Sequence, residues 1–178
     1  MSQREAEGTV SSQREKLIPY IGDRYSSEDA EAFATFQITE AAKSLAEEAG
    51  KATLICFPEK TPGACLPMSA LWTEFLRRHG IPAFCVVGGL SVDNVAVYPR
   101  GPFVFETNLN WEGHSWVAVG DHIGDPSLFR TGASPRAHPV LRALQKRLNT
   151  TGFFLAHEHY VLKEFRLAYD ISFGARQN

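Results

Sequence analysis

The stretch His114–Asp125, HSWVAVGDHIGD, predicts a two-stranded hairpin and thereby the kind of sheet to which it belongs. Gly120 and Asp121 make a two-residue turn of the type that joins antiparallel strands. This turn pairs Val119 with His122, Ala118 with Ile123, Val117 with Gly124 and Trp116 with Asp125. Because paired residues point to one face and alternate residues share a face, His114 and Asp125 become diagonal neighbours on the same face. An aspartate there would fix the tautomer of the histidine ring and stabilise its protonated form.

The segment Leu66–His79, upstream of the hairpin, has the clearest helical periodicity in the chain. Large side chains recur at helical spacing along one stripe, which comprises Met68, Leu71, Trp72, Phe75, Leu76 and His79. Gly80 and Pro82 then end the predicted helix.

Cys65 stands immediately before this helix, at about its N-cap, and three positions before Met68. The free N–H groups and the positive end of the helix dipole favour thiolate over thiol at such a place, and a reactive thiol should be exposed in a groove. The same N–H groups can hold a developing oxyanion. The alternative is that Cys65 is a small buried apolar residue, which is usual for a lone cysteine. Cys56 and Cys85 lie inside apolar runs with no helix start beside them, so we expect both to be buried.

The composition is typical of one soluble domain. The 178 residues suffice for a sizeable core, and 44% of them are hydrophobic and 21% charged. The formal net charge of -2 gives no overall basic field for nucleic acid, and no segment has the apolar length of a signal core or a membrane span. Three cysteines without paired spacing do not predict a disulfide scaffold. We therefore expect a cytoplasmic protein with neither nucleic acid nor membrane as a partner.

The order of the predicted elements favours an α+β fold in which N-terminal helices pack on an antiparallel sheet. Residues 1–25 are polar and predict a flexible or loosely docked arm, and residues 26–178 predict a single domain. A helix is predicted from Ser26 or Ser27 to Ala49, ended by Gly50, with a strand or packed loop at 52–57. The other predicted elements are strands at AFCVVGGL (83–90), VAVYP (95–99), FVFET (103–107) and HYVLKEFRLAYD (159–170), and a helix at AHPVLRALQKRLN (137–149).

Three motifs resemble those of the transglutaminase-like superfamily, a branch of the papain-like thiol enzymes. GACLPMSALWTEFLRRHGIPA (63–83) is similar to the family's nucleophile helix, HSWVAV to its histidine strand and GDPS to the end of its aspartate strand. The matched region runs from about Pro62 to Ser127, and the motifs occur in the family's order.

This resemblance implies a papain-like core in which Cys65 is the nucleophile, His114 the general base and acid, and Asp125 the carboxylate that orients the histidine. It implies acyl transfer through a Cys65 thioester, by hydrolysis of an amide (as in a peptidase, amidase or deamidase) or by transamidation. The substrate would be a peptide, a protein or a small amide. The family often takes a tryptophan or glutamine upstream of the cysteine for the oxyanion hole, and no upstream residue matches here. The substitutes that we consider precede His114 and are Asn108, Asn110 and Trp111.

Two other functions remain open from the sequence. The chain could be a non-catalytic binding module on the same fold, or an acyltransferase like the arylamine N-acetyltransferases, although those carry Arg-Gly-Gly where this chain has KTPGAC. A metal site would need His157 and His159, which alternate along a predicted strand, together with His114 or His122. No metal-binding motif accompanies these histidines, so we expect neither a metal nor a cofactor.

Overall fold

One antiparallel sheet of six strands lies at the centre of the residues that the structure describes. The structure is a computed structural model of the chain, and it describes residues 12–58, 64–99 and 113–171. The strands are β1 (Ala83–Val92), β2 (Val95–Tyr98), β3 (His114–Val119), β4 (His122–Asp125), β5 (Phe154–His157) and β6 (Leu167–Ile171). Their order is β2-β1-β3-β4-β5, and β6 also pairs with β1.

Helices cover both faces of this sheet. They are α1 (Gln13–Arg24), α2 (Ser27–Thr35), α3 (Glu40–Cys56), α4 (Cys65–Arg78), α5 (Leu128–Ala133), α6 (Pro139–Leu148) and α7 (Glu158–Lys163). Trp116 and Ala118 of β3 pack into a core with α1, α2, α5 and α6, while Val117 and Val119 pack with α3 and α4. Burial on both faces explains why every residue of β3 is buried. The prediction of an α+β fold with helices on an antiparallel sheet is confirmed.

The hairpin of β3 and β4 has the predicted register. Val117 pairs with Gly124, Ala118 with Ile123 and Val119 with His122. Gly120 has a φ of 57° at the turn, a conformation that a residue with a side chain adopts at a cost. The turn therefore fixes which residues of the two strands share a face.

Strand β1 is long because two strands, β3 and β6, pair with successive parts of it. Its residues 83–88 pair with β3, and its residues 88–92 pair with β6. Gly88 lies where the two ladders meet, and a Cβ built on it would lie 1.9 Å from the carbonyl oxygen of Asp170. Only glycine allows β6 to approach β1 this closely. The strand predicted at 103–107 lies outside the described residues.

Residues 1–25 were expected to form a flexible or loosely docked arm, and in the described part of this segment Gln13–Arg24 form α1. Ser12 and Glu15 close a capping box at the start of α1, and Leu17 and Ile21 are buried in the core. These two apolar side chains, one helical turn apart, form the buried face of an otherwise polar helix.

The single helix predicted from residue 26 to Ala49 is divided into α2 and α3. Ser26 caps α2 as predicted, accepting a hydrogen bond from the backbone N–H of Asp29. Gly50 does not end a helix but lies inside α3, where a Cβ would approach the ring of Phe153 to 2.8 Å. The segment predicted as a strand or packed loop at 52–57 continues α3 to Cys56.

The late strand predicted at 159–170 is correct only in its last third. Residues 158–163 form α7, and the chain turns through Arg166, with a φ of 56°, into β6. The helix predicted at 137–149 is confirmed as α6. Within the described ranges, no helix combines the length and apolarity needed to cross a bilayer.

Candidate active site

Helix α4 runs along β3 in the same direction, and this brings Cys65 to His114. Ser69 donates a hydrogen bond of 3.0 Å to the backbone carbonyl of Ser115, and Trp72, nearly one turn later, packs on Gly124, the partner of Val117. Cys65 lies one turn before Ser69 and is the first residue of α4, while His114 is the first residue of β3. Both residues therefore lie at the start of their elements, and Cys65 is near enough to His114 to affect the pKa of the ring.

His114 and Asp125 form a fully buried pair, as the predicted hairpin register requires. His114 is 1% exposed and Asp125 0%, and 2.5 Å separates Nε2 of the ring from Oδ2 of the carboxylate. Burial by itself would lower the pKa of His114, but the charge and hydrogen bond of Asp125, with a smaller contribution from Cys65, raise it to about 10. The Asp125 carboxylate thus favours the protonated form of the ring.

Asp125 has a hydrogen-bond donor for each of its lone-pair directions. Oδ1 accepts from the backbone N–H groups of Ser127 at 3.0 Å and Leu128 at 2.9 Å, at the start of α5. Oδ2 accepts from His114 and from the hydroxyl of Tyr169 at 2.7 Å. Burial alone would raise the pKa of Asp125, but the His114 charge and these hydrogen bonds lower it below its ordinary value. The carboxylate is thus held ionised without contact with solvent.

The second ring nitrogen of His114, Nδ1, faces away from Asp125's hydrogen bond and is not used by another one among the described residues. Nδ1 is buried and has no hydrogen-bond partner among the described residues. Cys65 is close enough to help raise the pKa of His114, although no hydrogen bond of standard geometry joins its sulfur to Nδ1. A buried N–H without an acceptor is costly, and a thiolate at Cys65 would supply the acceptor.

Two tyrosines complete the surroundings of the histidine ring, and sequence reasoning missed both. Tyr98 of β2 stacks on His114 with ring centroids 5.1 Å apart and planes 13° apart. Burial and the neighbouring charges of Cys65 and Asp125 raise the pKa of Tyr98 to about 12. Tyr169 of β6 is 7% exposed, and a buried hydroxyl of this kind normally finds a partner. That rule is the only sequence signal for Tyr169, and it does not name the partner.

The exposure of the three cysteines differs from the sequence prediction. Cys65, which we expected in an open groove, is only 9% exposed, whereas Cys56, expected to be buried, is exposed at the end of α3. Cys85 is half-buried and lies 3.3 Å from the hydroxyl of Ser115. Burial raises the pKa of the Cys85 thiol. The C-terminal turn of α3 exposes Cys56 because its buried face is formed by other residues, such as Thr53.

The residues proposed for the oxyanion hole, Asn108, Asn110 and Trp111, lie outside the described residues. The histidines of the metal hypothesis do not alternate along one strand, because His157 ends β5 and His159 belongs to α7. His122 and His157 instead contact the two oxygens of Asp121, at 2.7 and 3.3 Å. In the described part of the chain, no group of three or more potential ligands is arranged to hold a metal ion.

Cys65, the ring of His114 and the carboxylate of Asp125 are therefore buried neighbours, with Tyr98 against the ring and Tyr169 against the carboxylate. Comparison with protein-family models, with curated proteins and with solved structures gives no match to this chain.

Proposed function

We propose that the protein is a thiol enzyme that transfers acyl groups through Cys65, and that its reaction is the hydrolysis of an amide. The observation that carries this proposal is the buried His114–Asp125 pair, whose unpartnered Nδ1 adjoins a cysteine at the first position of a 14-residue helix. A structural histidine has no need of a buried carboxylate on one nitrogen and an unpaired N–H on the other. A nucleophile that exchanges a proton with its base needs both.

The proposed reaction begins with the Cys65 thiolate and the His114 imidazolium. The sulfur attacks the carbonyl carbon, and the oxyanion that develops lies near the free N–H groups of the first turn of α4. His114 gives its Nδ1 proton to the leaving nitrogen, the C–N bond breaks, and an amine departs from the thioester. Water then attacks the thioester while His114 takes one of its protons, the C–S bond breaks, and the acid leaves with the Cys65 thiolate and the His114 imidazolium restored. Asp125 keeps the ring oriented in both halves and stabilises it whenever it carries the proton.

The substrate in this proposal is a peptide, a protein or a small amide, with transamidation as the variant in which an amine replaces water. We also propose a reducing compartment, the cytoplasm, as the place of action. Cys56, Cys65 and Cys85 are all free, which is the state that such a compartment maintains and that a thiol nucleophile requires.

The test uses p-nitrophenyl acetate, because it acylates an activated thiol whatever the natural substrate is. The protein should release one p-nitrophenolate rapidly per chain, and mass spectrometry should place the acetyl group on the peptide that contains Cys65. Cys65→Ala should abolish this burst, and His114→Gln should slow it by about 100-fold or more. Cys56→Ser is the matched control, because Cys56 is an exposed cysteine outside the proposed site. A burst that persists in Cys65→Ala would refute the proposal.

A second step distinguishes hydrolysis from transfer. The acetylated protein is freed of reagent and incubated in water alone or with hydroxylamine, which attacks thioesters. Loss of the acetyl group in water at a rate that Asp125→Asn reduces supports a hydrolase. Loss only with added amine supports transamidation, and the assay then continues with peptidyl anilides and with glutamine-containing peptides as amide substrates.

A further inference from the structure

We propose that Tyr169 is a positioning residue, whose hydroxyl keeps Asp125 ionised and aimed at His114. The purpose of this role rests on the proposed function. The hydrogen bond from Tyr169 and its effect on the Asp125 carboxylate do not depend on that function. Tyr169 donates to Oδ2 of Asp125 at 2.7 Å, and this is the same oxygen that binds Nε2 of His114 at 2.5 Å.

Tyr169 is held in place by contacts that do not involve Asp125. Its backbone pairs with Leu90 in the β1–β6 ladder, and its carbonyl oxygen accepts a hydrogen bond of 3.1 Å from the side chain of Gln13. Its ring lies against the indole of Trp116, with centroids 4.8 Å apart, and the same Gln13 accepts from the Trp116 N–H at 3.2 Å. The hydroxyl is therefore placed in advance and loses little freedom when it donates.

The hydrogen bond from Tyr169 holds the Asp125 carboxylate in a single orientation. The two backbone N–H groups at Ser127 and Leu128 fix Oδ1. Oδ2 faces the ring of His114, and without a second donor one of its lone pairs would be buried and unsatisfied. Tyr169 fills that position and thereby makes rotation of the carboxylate away from His114 unfavourable.

The Tyr169 hydroxyl remains a donor throughout the pH range in which such an enzyme works. Burial and the nearby Asp125 charge raise the pKa of Tyr169 well above its ordinary value, so the hydroxyl keeps its proton. It is in turn one of the groups that lower the pKa of Asp125. Among the described residues, the titratable groups around this carboxylate are His114 of β3, Tyr169 of β6 and Tyr98 of β2, with Cys65 of α4 beyond the histidine.

The experiment removes only the oxygen, by Tyr169→Phe, and measures the Asp125 carboxyl directly. Protein labelled with 13C at aspartate carboxyls is titrated by NMR, and the Asp125 signal is assigned by its loss in Asp125→Asn. The pKa of Asp125 should rise by about one pH unit in Tyr169→Phe, because a charge-assisted hydrogen bond is lost. Tyr160→Phe is the control, since Tyr160 is an exposed tyrosine of α7, and it should leave the titration unchanged.

The pH dependence of unfolding separates this role from ordinary packing. Asp125 has a lowered pKa in the folded state, so its contribution to stability is present above the ordinary pKa of aspartate and is lost as the pH falls through the folded value. Tyr169→Phe should therefore increase the unfolding equilibrium constant about tenfold at neutral pH and progressively less on acidification. In the Asp125→Asn background, this pH dependence of the Tyr169→Phe effect should disappear.

These measurements need no turnover, so they separate the present inference from the proposed acyl chemistry. A raised Asp125 pKa supports the role of Tyr169 even if p-nitrophenyl acetate does not acylate Cys65. An unchanged Asp125 titration, or a destabilisation that is equal at all pH values and persists with Asp125→Asn, would overturn it even if the acetyl group forms normally.

Discussion

Ser69 donates its hydroxyl to the backbone carbonyl of Ser115, and this 3.0 Å hydrogen bond ties α4 to β3 one turn after Cys65 and one residue after His114. Both serines are fully buried. The bond fixes the helix along the direction in which it could slide past the strand. A slide by a fraction of a turn would separate the sulfur from the ring, so the bond maintains the distance on which the proposed chemistry depends.

Ser69→Ala should therefore affect both stability and acylation. Loss of one buried hydrogen bond should reduce the free energy of unfolding by about 1 kcal/mol. The rate of acetylation at Cys65 should fall several-fold, because the alanine no longer fixes the register of α4. Urea unfolding and the p-nitrophenolate burst measure the two effects. Ser44→Ala, at an exposed position of α3, is the control and should change neither.

Gly88→Ala should destabilise the protein by about 3 kcal/mol or more. The new Cβ would meet the Asp170 carbonyl at 1.9 Å, and that carbonyl is backbone that cannot move aside without separating β6 from β1. Gly22→Ala is the matched substitution, since the nearest atom to its Cβ, in Ala30, is at an ordinary 3.7 Å and alanine favours the helix there. In thermal unfolding, the Tm of Gly88→Ala should lie below that of the wild type and the Tm of Gly22→Ala above it. Equal effects would contradict the close approach at Gly88.

The His114–Asp125 pair should stabilise the protein within a defined pH window. The pKa of His114 is raised to about 10, so its contribution is complete below the ordinary histidine pKa, about 6.5, and is lost as the pH rises through about 10. The lowered pKa of Asp125 makes its contribution complete above about 3.9 and lost on further acidification.

Asp125→Asn should consequently cost about 3 kcal/mol between about pH 4 and 6.5, and less at higher pH. Urea unfolding of both proteins across this range gives the difference at each pH. A difference that grows from pH 7 to pH 10 has the wrong sign for this pair. Glu48→Gln is the control, because it makes the same change from carboxylate to amide at an exposed position of α3, and it should leave the pH dependence of unfolding unchanged.

Alkylation should distinguish the three cysteines by different physical causes. Cys56 should react first with iodoacetamide, because it is exposed, and Cys85 last, because burial raises the pKa of its thiol. In a Cys56→Ser protein, labelling of Cys65 should slow by about tenfold on His114→Ala, since the imidazolium that favours the thiolate is gone. Mass spectrometry of the labelled peptides over time measures this. If His114→Ala leaves the labelling rate of Cys65 unchanged, the histidine does not activate this thiol.

The hairpin could be predicted from the sequence because its determinants are local. A two-residue turn and a period of two are enough to place His114 and Asp125 on one face, and the observed register agrees. The helix after Cys65 was predictable for the same reason, since its stripe and its stop signal are adjacent in the chain. In these two elements, short-range rules and the tertiary structure favour the same conformation.

The errors occurred where distant contacts override local signals. Gly50 has the appearance of a helix stop, but the ring of Phe153 packs on it and α3 continues. Helix α1 is mostly polar, and it docks through tertiary contacts such as the burial of Leu17 and Ile21 in the core, which its own sequence does not reveal. The donor to Asp125 comes from Tyr169, 44 residues away, and no spacing rule connects the two.

Asp125 also closes the start of α5 through Ser127 and Leu128, so the state of the site can be followed from outside the reaction. The amide protons of these two residues exchange with deuterium only when their hydrogen bonds to the Asp125 carboxylate break. Their protection therefore reports, residue by residue, whether Asp125 is ionised and seated. Deuterium uptake at Ser127 and Leu128, at the start of α5, therefore measures whether the site is assembled in the substrate-free protein.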